Sequence, residues 1–208
     1  MRTLHETKTG FTFIETLVTA GILLSLSLIA TLWSTQSMDV WWTTNTQNEV
    51  RVHLQQALSR LTSDLRGGTR SGKCADFSVP AAPGNSANAA DAGTTTVATF
   101  YLPTDVDGNG LITDANGNIE WGLPPANCPL PIDQINYTYV PAQRQLLRVQ
   151  GAQQVVIAHD VQSVTVDDRS TDATLASNDA RVTLTIQKTT PQGRTVLATS
   201  TAIVKLRN

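Results

Sequence analysis

Catalytic equipment is what this chain most plainly lacks. Histidine occurs three times in 208 residues, as His5, His53 and His159, and none has a serine or cysteine nucleophile motif around it. There is no glycine-rich phosphate loop and no zinc-binding helix motif. Asp167-Asp168 is a paired acid, an arrangement commoner in a solvated turn than in a reaction centre. These absences point away from an enzyme. Basic excess is missing too: the net charge is −2, which leaves no electrostatic footprint for nucleic acid. Aromatics make up only 5% of the chain, and the abundance of Thr, Ala, Gln and Val suits an exported, β-rich domain.

Charge of either sign vanishes from one stretch. Thr16 to Met38 contains no Asp, Glu, Lys or Arg, and no proline. A bilayer core of about 30 Å needs about 20 helical residues at 1.5 Å each, so the run is long enough to cross. Gly21 and the scattered Ser and Thr are compatible with a membrane helix, which satisfies its own backbone and lets neighbours approach at small residues. A cleaved secretory signal is the alternative, but no small-x-small cleavage site follows the run, and Glu15 would break it without purpose. An ionised group inside a bilayer costs several kcal/mol and calls for a named partner. No Lys or Arg lies in the run. Cutting the chain after Gly10 would create a cation, the α-amino group of Phe11, four residues from Glu15 and within reach of an equivalent acid on an adjacent subunit.

Gly10-Phe11-Thr12-Phe13-Ile14-Glu15 resembles the class III signal of type IV prepilins and pseudopilins. That pattern is a glycine, a phenylalanine, a short apolar stretch, and glutamate at the fifth mature position. The resemblance implies cleavage between Gly10 and Phe11 by a membrane-embedded prepilin peptidase, and N-methylation of Phe11. It also implies recruitment through Glu15 to a filament of other pilins or pseudopilins at an inner-membrane assembly platform. Phe13 stands where leucine is usual. The leader carries Arg2, His5 and Lys8 against Glu6, which keeps that end cytoplasmic and places the rest beyond the membrane. Trp33, Trp41 and Trp42 mark the outer headgroup zone, with packing against the globular domain an equal reading for Trp42.

Past the membrane run the helix is expected to continue. Val50, Leu54, Ala57, Leu58, Leu61 and Leu65 form one apolar stripe at helical period. Glu49, Arg51, Gln55, Gln56, Ser59, Arg60, Ser63 and Asp64 are read onto the opposite face. Arg66 complements the C-terminal dipole and Gly67-Gly68 supplies the stop. The stretch Leu58 to Arg66 is similar to the helix end of PilW-type minor pilins and J-type pseudopilins of type II secretion. Residues 71–96 read as a loop rich in Gly, Ala, Asn, Ser and Pro. Cys74 and Cys128 are the only cysteines. An even pair in an extracytoplasmic domain argues for one disulfide, two separate buried thiols being the alternative and a metal pair the weakest reading.

Asp105-Val-Asp107-Gly-Asn109-Gly110-Leu111-Ile112-Thr113 looks like the start of an EF-hand calcium loop. Oxygen ligands at positions one, three and five converge because a glycine at six makes the sharp turn. Leu111 would add its carbonyl and Thr113 a water. Asn116 replaces the usual bidentate glutamate at twelve, so Asp114 or Glu120 would close the site. The alternative is an Asx- and Gly-rich surface turn needing no ion. After a proline-stiffened connector at 121–131, alternating segments at 135–140, 145–149, 155–157, 161–166, 180–186 and 195–204 read as strands, joined to an earlier one at 96–101. They imply hairpins at Pro141–Arg144 and Pro191–Gly193.

The expected class is α+β, a pilin-like long N-terminal helix on an antiparallel β-sheet. Its parts are a leader (1–10), a transmembrane segment (11–38), an amphipathic continuation (39–67) and a periplasmic β-rich domain (68–208). Two functions suit this plan. One is a structural, minor filament subunit of a type IV pilus or a secretion pseudopilus, acting in initiation or at the tip. The other is a membrane-anchored binding or adhesion module that is never assembled.

Overall fold

The computed structural model describes residues 12–68, 78–80, 85–103, 105–117, 120 and 134–206. Among these residues one α-helix, α1 (Phe13–Gly67), precedes eight strands: β1 (Ser86–Asn88), β2 (Thr95–Tyr101), β3 (Gln134–Val140), β4 (Gln145–Gln150), β5 (Gln153–Ala158), β6 (Val161–Asp167), β7 (Asp179–Thr189) and β8 (Thr195–Lys205). The chain divides into two compact units, the first ending at Thr44 and the second beginning at Asn45.

In the first unit α1 is helical throughout because nothing in it breaks a helix. Its hydroxyls are absorbed locally. Thr16, Thr19, Ser25, Thr31 and Thr35 each donate to a carbonyl one turn back, at 2.8–2.9 Å. The outer surface left over is hydrocarbon: Leu17, Ile22, Leu24, Leu28 and Leu32 are all exposed. The helix is thus long and apolar enough to cross a membrane. At the far end of this unit Trp41 and Trp42 meet edge to face, ring centroids 4.7 Å apart, with Trp33 and Trp41 exposed and Trp42 half-buried.

In the second unit α1 buries the expected stripe. Val50, Leu54, Ala57, Leu58, Leu61 and Leu65 are all in the core, and Thr46 extends the row one turn earlier. Two residues read onto the solvent face have other roles. Glu49 is held by Lys188 of β7. The Asp64 carboxylate accepts from the Tyr137 hydroxyl at 2.7 Å and from Arg148 Nε at 2.6 Å. Both acids flank the stripe, where a side chain can reach the sheet as easily as water. The helix stops at Gly67 as expected. A Cβ on Gly67 would sit 3.1 Å from Leu102, and one on Gly68 would sit 3.0 Å from Phe100. The helix end lies so close to Phe100 of β2 and to Leu102 that a side chain there would push these neighbours aside by a few tenths of an ångström.

The strands form two antiparallel sheets, where a single one was expected. Their orders are β1-β6-β7-β8 and β2-β3-β4-β5. The break falls at Asp160, whose left-handed backbone (φ 56°) turns the chain out of one sheet and into the other. Tyr139 bridges them, its hydroxyl donating to the Val161 carbonyl at 2.7 Å. Both sheets and the stripe of α1 share one apolar core. The segment read as loop contains β1, a correction to the sequence reading. Three residues are too short to show alternation, and only their pairing with Ser163–Thr165 and the full burial of Ala87 define the strand. The hairpins lie where predicted, with Arg144 (φ 52°) and Gly193 (φ 80°) supplying left-handed residues.

Tyr137 makes an alkaline limb to stability. Burial first, and the Asp64 carboxylate second, raise its pKa. A phenol whose pKa is raised by folding binds its proton more tightly in the native state. Its contribution is therefore complete below the unfolded value of about 10 and is lost as pH climbs above it. Urea midpoints of the wild type should fall above pH ~10, and those of Tyr137→Phe should fall less. Parallel curves for the two proteins would refute this.

Candidate functional site: the acidic loop and the head of the apolar helix

Two places gather chemistry. The first is the start of α1. Thr12 precedes the helix, and its Oγ1 accepts from the Glu15 amide at 3.4 Å while Glu15 Oε2 accepts from the Thr12 amide at 3.5 Å. This reciprocal pair is a capping box. The sequence reading missed it, although Thr-x-x-Glu ahead of an apolar run is its signature. Glu15 thus closes the helix end, and it does so through one oxygen. Gly10 and Phe11 lie outside the described residues, as do Cys74 and Cys128.

The second is the loop after β2. Asp105 accepts from the amides of Gly108 and Gly110, both at 2.8 Å, one on each carboxylate oxygen. Asp107 accepts the Asn109 amide at 3.0 Å, and Asn109 Oδ1 accepts the Leu111 amide at 2.7 Å. The positive φ of Gly108 (73°) and Gly110 (83°) allows the chain to curl around these acids. Glu120 then returns from fifteen positions further on. Its side chain is only 6% exposed, its Oε2 accepts the Val106 amide at 2.6 Å, and its own amide donates to the Ile112 carbonyl at 3.0 Å. Carboxylate oxygens of Asp105, Asp107 and Glu120 lie within 4.8 Å of one another.

Among the predicted ligands, then, the fold brings Asp105 and Asp107 together with Glu120, the more distant of the two acids considered for closure. Asp114 is not in this group, and its Oδ1 accepts from the Asn116 amide at 2.9 Å. Asn109, Leu111 and Thr113 line the same turn, with Leu111 exposed. The three converging carboxylates can hold a cation. Their all-oxygen character favours a hard divalent ion over zinc.

No protein-family model, curated protein or solved structure matches this chain.

Proposed function

We propose that the chain is a structural subunit of a type IV-class filament, a pilus or a secretion pseudopilus, in a minor, initiating or tip position. It would enter the inner membrane with Met1 to Gly10 in the cytoplasm and the β-rich unit in the periplasm, and would lose its leader to a prepilin peptidase. One observation carries this reading. α1 exposes a charge-free apolar surface from Thr16 to Met38, with a single acid at its head, and farther along it becomes the spine of a β-rich core. A simple anchor needs neither the acid nor the spine. In a bundle of such helices, Glu15 on one subunit and the α-amine of Phe11 on the next neutralise each other in a low dielectric and fix the axial step between them. The test is the mature N-terminus: mass spectrometry should find the chain beginning at a methylated Phe11. An intact Met1 in filament-bearing cells would overturn the reading and favour an unassembled anchored module.

Within that reading the acidic loop is a calcium site that orders the surface after β2, with Asp105, Asp107 and Glu120 as its carboxylates. Calcium should release heat on titration into the full chain in detergent and raise its thermal midpoint. At a hundredfold excess over Kd the stabilisation is about 2.7 kcal/mol. Glu120→Gln should weaken both effects. Absence of heat and of a thermal shift in the wild type would exclude the ion.

A further inference from the structure

β8 is the free edge of its sheet: among the described residues it pairs with β7 and with nothing on its other side. Its eleven pairs with β7 run from Thr195↔Thr189 to Lys205↔Asp179 without a register shift, whereas β2–β3, β4–β5 and β6–β7 each carry one. Natural edges are usually interrupted by a bulge, a proline or an inward charge. β8 has none of these between Val196 and Val204.

A groove runs beside this edge. It is lined by Val196–Ser200 of β8 and by Gln47, Arg51, Leu54 and Gln55 of α1. The three polar side chains of α1 stand at i, i+4 and i+8, one row along the helix. A strand added to β8 would lie beside that row. The middle one, Arg51, is exposed and has no acid partner among the described residues.

From the open edge and the unpaired cation beside it, we infer that this groove binds an extended, acidic segment of another protein chain, added to β8 as a fifth strand. Backbone hydrogen bonds to β8 supply the binding energy, and a carboxylate opposite Arg51 fixes the register. The inference does not depend on filament assembly.

The test uses the full chain in detergent and a labelled peptide, Thr-Val-Thr-Glu-Thr-Val-Thr, followed by fluorescence anisotropy. The same peptide with lysine at its centre should bind about tenfold more weakly. Arg51→Glu, a change at an exposed position, should reverse that order. A version N-methylated at alternate peptide nitrogens, unable to pair with β8, should not bind. No binding of the glutamate peptide at millimolar concentration, an order unchanged by Arg51→Glu, or undiminished binding of the N-methylated version would each overturn the inference. Loss of peptide binding as protein concentration rises would assign the groove to a second copy of the chain and overturn it as stated.

Discussion

Leu61→Ala is expected to destabilise the β-rich unit by about 3 kcal/mol, within the ~2–5 kcal/mol range for fully buried leucines. Leu61 is wholly buried in the core that α1 shares with both sheets. Truncation leaves a void that neither sheet can collapse into without giving up its own packing. For a unit of this size that corresponds to a fall of roughly 10 °C in Tm. Val52 is the internal control: it lies on the same helix but is 49% exposed, and Val52→Ala should change stability by less than ~0.5 kcal/mol. Thermal and urea unfolding of both variants decide the matter. Equal midpoints would mean that the stripe of α1 does not hold the sheets together.

The second large effect is on assembly. Glu15→Ala should insert normally yet be recovered in filaments on the order of a hundredfold less than wild type, the loss expected when one partner of a desolvated ion pair is removed. The capping box gives Glu15 a second role, and Glu15→Gln separates the two. Glutamine can still close the box with Thr12 but carries no charge. If charge pairing governs recruitment, Glu15→Gln fails as Glu15→Ala does. Recovery of the glutamine variant at wild-type level would show that charge pairing does not recruit this subunit, as for one at the tip with no neighbour ahead of it.

The parts of the fold legible in the sequence are those where one pattern repeats for long enough. The stripe from Val50 to Leu65 crosses four turns, and β7 alternates through Ala180, Val182, Leu184 and Ile186, all buried. What was not legible depends on partners far away in the chain. The left-handed Asp160 turns a meander into two sheets, yet an Asp between two strands is equally at home in a plain turn. Asp64 reads as a solvent-facing acid until Tyr137 and Arg148 arrive beside it from β3 and β4. The acidic loop was half legible. Spacing brings out Asp105 and Asp107, because neighbours in a tight turn are fixed by that turn. Glu120 lies beyond it, and its inward aim comes from the backbone bond of its own amide to Ile112.

Because Thr16, Thr19, Ser25, Thr31 and Thr35 turn their hydroxyls onto their own helix, none of these groups would have to exchange one partner for another if α1 were drawn out of a bilayer. The work of extraction is then set by hydrocarbon area, about 25 cal/mol for each Å² transferred, and accumulates evenly along the helix. Drawn out from its tryptophan-bearing end, such a helix would resist smoothly until Glu15, the one charged side chain between Thr12 and Met38, adds one abrupt electrostatic step: the apolar run would behave as a bearing and the acid near its head as a latch.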